Sequence, residues 1–188
     1  MKMAAMVKIC LALIGLVTTM HTFAALVEAG VVKLQGTIYS ATCTVTVNDQ
    51  ALIDGTPVVN MGRYPSSIFS SSGAIVGGGK GNGQIKIAAQ DCPDQGTIEL
   101  TFDGNVYPTD NRLLQLDAGE NTAKNLGIAL YRGAAGIGER ISFNKVYPYK
   151  VNGDKNYKID FIAAYISTED VVVAGLANST LNVNLAYK

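Results

Sequence analysis

The sequence is poor in the residue types on which most enzyme and ligand chemistry depends. Its 188 residues contain no tryptophan, three cysteines and one histidine, and 16% of the residues are charged, with basic and acidic groups in balance. The single histidine, His21, lies in an N-terminal segment that we expect to be removed. Ser-His-Asp and Cys-His nucleophiles and His-ligated zinc are thereby excluded, because each needs an imidazole. We predict no catalytic residue, no metal and no cofactor.

The first 24 residues are typical of a secretory signal peptide. Lys2 and Lys8 supply positive charge, Ile9–Val17 is a short apolar core, and a small-residue cleavage site ends at Ala24. The apolar core is about half the ~20 residues that span a bilayer. Cleavage after Ala24 leaves 13 basic and 15 acidic side chains, and no basic surplus suggests nucleic acid as a partner. We expect an exported chain of one domain.

Two cysteines remain after removal of the signal peptide, because Cys10 lies within it. In an oxidising compartment a disulfide between the remaining pair persists. We predict a Cys43–Cys92 disulfide, with two unpaired buried thiols as the alternative.

Short runs of β-branched and aromatic residues alternate with glycine- and asparagine-rich breaks, which is the spacing of an all-β protein. The 20 glycines and the lack of a sustained 3.6-residue apolar period argue against long helices, although a brief helical turn within residues 111–125 is compatible with the sequence. The predicted strands are Val31–Tyr39, Thr44–Val47, Gln84–Ala88, Thr97–Phe102, Leu126–Tyr131, Lys158–Ile166 and Thr180–Tyr187.

The glycine-rich stretch Ser70–Gly83 is predicted to be a solvated hairpin or sheet-crossing loop. It does not match a phosphate-binding loop, because Lys80 is followed by Gly81 where that motif has Ser or Thr.

Apart from Ala186, residues 181–188 alternate apolar and polar up to the last residue of the sequence. We expect a final strand that leaves one edge of its sheet open, which proteins normally cover, charge or bulge. Near the other terminus an apolar row with a glycine in the middle lies on one face of a predicted strand. This glycine marks either a weak spot in an ordinary first strand or a place where no side chain fits. The row is Val32, Leu34, Gly36, Ile38 and Ser40.

These features together resemble the chaperone-usher fimbrial subunits, the type 1 and P pilus-like pilins. At the C-terminus Tyr187 is penultimate, Leu181, Val183 and Leu185 occupy alternate positions, and Gly175 is fourteenth from the end, as in the family's β-zipper motif. Two further stretches carry the resemblance over the rest of the mature chain: Tyr165 followed by Val171–Gly175, and Leu34–Ile38 followed by Cys43.

The resemblance implies an all-β, incomplete immunoglobulin-like sandwich that lacks its seventh strand and is completed by a donor strand from a chaperone or a neighbouring subunit. It divides the chain into a signal peptide (1–24), a donor-strand extension (25–42) and a pilin domain (43–188). The implied donor residues are Val32, Leu34, Gly36, Ile38 and Ser40. The implied acceptor residues are Gly175, Leu181, Val183, Leu185 and Tyr187.

The resemblance also implies the partners and the location. The partners are a periplasmic fimbrial chaperone, an outer-membrane usher and neighbouring pilin subunits in a homopolymer, with no nucleic acid. The expected function is that of a shaft subunit in a fimbria on the bacterial surface, contributing to adhesion.

A carbohydrate-binding sandwich or a minor tip-adaptor subunit is the alternative. Sugar sites use stacking rings, and tyrosines beside turn residues are the candidates here, although turn packing is their commoner role. These tyrosines are Tyr64, Tyr107, Tyr147, Tyr149 and Tyr157. An enzyme would depend on carboxylates whose separation a sequence cannot fix, and solvated turn residues are the commoner case. These carboxylates are Asp103, Asp110, Asp117 and Glu120.

Overall fold

The computed structural model describes residues 43–51 and 56–188, and these residues form an all-β structure, as predicted. A 3-10 turn spans Ser66–Ile68. Within the described part of the chain, no helix has the length and apolarity needed to cross a membrane. The strands are β1 Thr44–Val47, β2 Gln50–Ala51, β3 Ile75–Val76, β4 Gln84–Gln90, β5 Gln95–Gly104, β6 Val106–Tyr107, β7 Asp110–Gln115, β8 Leu126–Arg132, β9 Glu139–Arg140, β10 Val146–Asn152, β11 Tyr157–Ser167 and β12 Leu181–Tyr187.

Six predicted strands fall within the described residues, and all six are present with ends within two residues of the expected bounds. The predicted strand Val31–Tyr39 lies outside the described residues. The brief helical turn considered for residues 111–125 is absent there, because its first part is β7. Of the longer strands, β7 and β10 were not predicted: β7 begins with polar residues, and β10 contains Pro148.

Two antiparallel sheets pack face to face. In the described residues the larger sheet has the order β2-β1-β4-β11-β8-β7-β6, with β3 also paired to β11 and β9 to β8, and the smaller has the order β10-β5-β12. Their inner faces meet in one core, where Phe102 of β5 and Phe161 of β11 contact edge to face with ring centroids 4.9 Å apart. The largest fully buried side chains are Phe102, Phe143, Phe161, Ile87, Ile98, Leu100, Leu130 and Ile141.

The predicted disulfide between Cys43 and Cys92 is present and marks one end of the sandwich. At this end the Cys92 N–H donates to Lys155 O over 3.0 Å, and Thr97 is hydrogen-bonded to Lys188. We call this the disulfide end. The opposite end, where Leu181 of β12 pairs with Gly104 of β5, is called the far end. The ten residues of β5 separate the two ends by about 30 Å at ~3.4 Å per residue.

The glycine-rich stretch separates two strands that pair with β11. Both β3 and β4 pair with β11, and residues 77–83 form the loop between them. Gly83 has φ +71° and accepts a 2.7 Å hydrogen bond from the Ala163 N–H, so a side chain there would collide with the β11 backbone. The predicted loop is confirmed for these residues, whereas Ile75–Val76 is a strand.

Candidate functional site: the outer edge of strand β12

Strand β12 lies at the edge of the smaller sheet and, among the described residues, pairs with β5 alone. Lys188 and Thr97 exchange both backbone hydrogen bonds, with N···O distances of 2.9 and 2.6 Å. In an antiparallel pair such bonded positions alternate with positions whose backbone groups point the other way. Even-numbered residues of β12 therefore bond to β5. The backbone groups that face outward belong to Leu181, Val183, Leu185 and Tyr187.

The side chains of the same four residues point toward the core but are only half-buried. Their cross-strand partners on β5 are far better covered, since Ile98, Leu100 and Phe102 are at most 1% exposed. The residues between them are exposed, and the Asn184 side chain donates to Asp103 over 2.6 Å. A row of apolar side chains beside an unpaired backbone edge is a site for one more strand.

At the disulfide end of this edge Tyr187 packs over Gly96. A Cβ atom on Gly96 would collide with the Tyr187 hydroxyl and would lie 2.5 Å from Lys188 O, and Gly96 has φ +134°. The Tyr187 hydroxyl is buried and has no hydrogen-bond partner within the described structure. Gly96 thus positions the last apolar side chain of the row, a role that no local sequence signal indicates.

Gly175, predicted to belong to the acceptor strand, lies before β12, at the far end. A Cβ atom there would lie 2.5 Å from both Ala123 N and Asn121 O. The neighbouring Leu176 N–H donates to Asn121 O over 2.6 Å, and the Ala123 N–H donates to Leu176 O over 2.9 Å. The glycine is required because two backbone segments touch. Whether Gly175 also contacts a partner stays a prediction.

Tyr165 fixes the same segment from the core side. Its hydroxyl donates to Ala177 O over 3.0 Å. Burial raises the Tyr165 pKa, and the neighbouring Tyr64 raises it further, so this hydroxyl remains a neutral donor at physiological pH. A cavity of about 380 Å³ lies between the two tyrosines and the segment that leads into β12. Its lining includes Tyr64, Phe69, Leu126, Tyr165, Val172 and Gly175.

Four of the tyrosines considered for sugar stacking are held by their hydroxyls. Tyr107 donates to Leu126 O over 3.1 Å. Tyr147 accepts from the Ser142 N–H over 2.8 Å and Tyr157 from the Asn152 N–H over 3.1 Å. Tyr149 is hydrogen-bonded to a guanidinium nitrogen of Arg132. These contacts fit the commoner role of tyrosines in turn and edge packing.

The predicted donor residues lie outside the described residues, so their placement stays a prediction. They are Val32, Leu34, Gly36, Ile38 and Ser40.

Within the described residues the protein is an antiparallel β-sandwich whose β12 edge pairs with β5 alone. The family model described as "Fimbrial protein" matches residues 32–188. The chain belongs to the fimbrial protein family. The resemblance inferred from the sequence is thereby confirmed, and members of this family are structural subunits rather than enzymes.

Two curated relatives cover nearly the whole chain. A type-1 fimbrial protein subunit of Serratia marcescens is 29% identical over 97% of this chain and 100% of its own length. The long polar fimbria protein A of Salmonella typhimurium is 25% identical over 97% of this chain and 98% of its own length.

Solved structures share the fold. A chaperone-usher pilus structure matches with a TM-score of 0.59 and 17% identity, covering 85% of this chain and 95% of that chain. The P pilus rod subunit PapA matches with a TM-score of 0.51 and 17% identity, covering 84% and 99%. The prediction of an incomplete immunoglobulin-like sandwich is confirmed by this fold.

Proposed function

We propose that this fimbrial subunit polymerises by donor-strand exchange. Residues 25–42 of the next copy to join the fibre would fill the groove beside β12 of the copy before it. The observation that carries this proposal is the β12 edge, where four half-buried apolar side chains and the outward-facing backbone groups belong to the same residues. The predicted donor row has the same two-residue period, with Gly36 in its middle.

The size of the interaction explains why the added strand would be obligatory. Four or five buried apolar side chains contribute about 1.5 to 3 kcal/mol each, and several main-chain hydrogen bonds add about 0.5 to 1.5 kcal/mol each. The gross contribution is on the order of 10 kcal/mol, and ordering the donor segment offsets part of it. This rivals the ~5 to 15 kcal/mol stability of a whole domain. The isolated subunit is therefore expected to be unstable or to aggregate.

The positions of the chain ends favour one direction for the donor strand. The donor segment leads into Cys43 at the disulfide end, and β12 also finishes at that end. A donor parallel to β12 would place its own body at the disulfide end of the acceptor, where the acceptor already meets the subunit to which it donates. An antiparallel donor places the two neighbours at opposite ends and allows a linear fibre.

The same scheme gives the route and the partners. A periplasmic chaperone supplies the strand first, an outer-membrane usher exports the subunit, and the next copy then replaces the chaperone. Residues 1–24 act as the signal peptide, 25–42 as the donor and 43–188 as the pilin domain. A groove and a predicted donor in one chain argue against a subunit that only accepts or only starts the fibre, and the short segment 25–42 before Cys43 favours a shaft subunit over a tip adaptor. The product is a fimbria on the cell surface.

Periplasmic co-expression with and without a fimbrial chaperone tests the proposal. The full-length chain should need the chaperone for soluble yield and should later form ladders that resist SDS at room temperature. Deletion of residues 25–35 should abolish the ladder without reducing chaperone binding.

Gly36→Leu should act like the deletion, with Gly36→Ala as the milder matched control. A full-length chain that is a stable monomer without the chaperone, or normal ladders from Gly36→Leu, would contradict donor-strand exchange.

A further inference from the structure

Three large apolar side chains are exposed on one short segment at the far end. Val171 is 70% exposed, Val173 47% and Leu176 62%. They form what we call the far-end patch. In the described part of the chain eight large apolar residues are exposed, and these three fall within six consecutive residues. Exposed apolar side chains grouped on one short segment mark an interaction site more often than isolated exposed residues do.

The fold holds this patch in its exposed position. The Asn125 side chain donates to Val171 O over 2.9 Å. Val173 and Lys124 exchange backbone hydrogen bonds of 3.1 Å in both directions. The Gly175 backbone packs directly on residues 121–123. These contacts fix the backbone of the segment that carries the three exposed side chains.

The length of the donor segment identifies what can reach the patch. With the donor antiparallel to β12, its Ser40 lies near Leu181 of the acceptor, at the far end. Only Ala41 and Thr42 separate Ser40 from Cys43, a span of at most about 10 Å. The disulfide end of the donating copy must then touch the far end of the acceptor.

We propose that the far-end patch docks against the disulfide end of the second copy of this chain that donates its strand. This inference rests on donor-strand exchange and adds a contact between the folded bodies. The contact joins two different ends of the same chain, which generates an open head-to-tail polymer rather than a closed dimer. Since the donor strand already tethers the two bodies, the contact needs little affinity of its own. It orients and stiffens the junction.

Site-specific photo-crosslinking in assembled fibres tests the contact. Leu176→p-benzoylphenylalanine should crosslink to a peptide from the disulfide end of the next copy, within residues 43–51 or 90–96, as identified by mass spectrometry. Ile137→p-benzoylphenylalanine, at a position that is 89% exposed, is the matched control and should not yield these peptides. Normal SDS-resistant ladders with no Leu176 crosslink to the disulfide end overturn the body contact and leave donor-strand exchange intact. No ladder from the unmodified chain overturns donor-strand exchange itself.

Charge substitutions give a second, independent readout. The double variant Val171→Asp, Leu176→Asp should bind the chaperone as well as the unmodified chain does. It should form ladders about tenfold more slowly, which corresponds to roughly 1.4 kcal/mol. Ile137→Asp should assemble at the normal rate. Equal rates for the double variant and the control would overturn the proposal.

Discussion

Strands β10 and β12 flank the same central strand, β5, and each has seven residues, yet their outer edges differ. Since Thr97 is hydrogen-bonded to Lys188, the backbone N–H and C=O groups of odd-numbered β5 residues point toward β12. Those of even-numbered β5 residues point toward β10. Pro148 of β10 lies opposite Glu99, so its missing N–H falls on the outer edge of β10. Proline therefore removes a hydrogen-bond donor from that edge without breaking a bond to β5. Edge strands commonly carry proline in this way.

The side chains of the two edges are covered differently as well. The Arg132 guanidinium lies 5.9 Å from the ring centroid of Tyr147 and 5.3 Å from that of Tyr149, and it also contacts Glu139 at 3.3 Å. Burial raises the Tyr149 pKa, and the Arg132 charge opposes that rise. The inward-facing row of β10 thus has a cationic cover from the larger sheet. In the described residues the row of β12 has no such cover, so β12 lacks two protections that β10 has.

Val183→Pro should have the largest effect, because it places a proline on the outer edge of β12, as Pro148 does on the outer edge of β10. The Val183 N–H faces outward, so proline leaves the β5 ladder intact while removing an edge donor and most of the valine contact. We expect a loss of about 3 kcal/mol, on the order of a hundredfold in donor binding, measured as the exchange of a synthetic peptide of residues 25–42 onto chaperone-bound subunit. Val183→Ala, which keeps the N–H, should lose about tenfold or less. Equal losses in the two variants would show that the edge donor is unimportant.

Gly96→Ala should weaken the subunit at the disulfide end of the β12 edge. The new methyl group would meet the Tyr187 hydroxyl and Lys188 O at a residue with φ +134°. We expect about 1 to 3 kcal/mol of destabilisation in urea unfolding of the peptide-complemented subunit. Gly153→Ala is the matched control, since Gly153 has φ +85° and no atom within 4 Å of the added Cβ, and it should cost about 1 kcal/mol. A Gly96→Ala loss no larger than the control's would contradict the packing role of Tyr187.

The sequence predicted those parts of the fold whose signal is local. The two-residue period of Leu181–Tyr187 is such a signal, and it predicted a strand that, among the described residues, pairs on one side only. β7 was not predicted because it begins with polar residues and has no two-residue apolar period. Its Leu113 and Leu114 are buried on opposite faces of the sheet, in two different clusters. Strand assignment there depends on tertiary packing, which overrides local preference.

Apart from the Cys43–Cys92 disulfide, contacts between distant parts of the chain could not be predicted. Gly175 was recognised as a motif residue, but its physical reason is the backbone of residues 121–123, about fifty positions away. The cover that Arg132 provides to Tyr149 likewise joins two sheets. The protection that Pro148 gives to the outer edge of β10 is of the same kind, because it follows only from its register opposite Glu99.

Pro148→Val should convert the protected edge into one that resembles β12. Valine restores the outward N–H and adds a β-branched side chain suited to a strand. We expect roughly two- to tenfold more dimer and aggregate of the peptide-complemented subunit, measured by light scattering at fixed concentration. Val146→Ala alters the same edge while keeping the proline and should leave the scattering unchanged. An unaltered Pro148→Val protein would mean that the Arg132 cover alone protects β10.

Asp110→Asn probes a third edge, where the two-residue strand β6 closes the larger sheet against β7, and its effect should be the smallest. Asp110 pairs with Arg140 at 3.0 Å and accepts from the Arg112 N–H over 2.9 Å. Burial acts to raise the Asp110 pKa, but the Arg112 hydrogen bond and the Arg140 and Arg112 charges outweigh it and hold the pKa below its usual value. A lowered folded-state pKa gives stability that is present above the unfolded pKa of about 3.9 and is lost as pH falls through the folded pKa. The variant should therefore be about 0.2 to 1 kcal/mol less stable at pH 7, with the gap in urea midpoint closing at acid pH. A gap that stays constant with pH would show that the charge of Asp110 does not stabilise this edge.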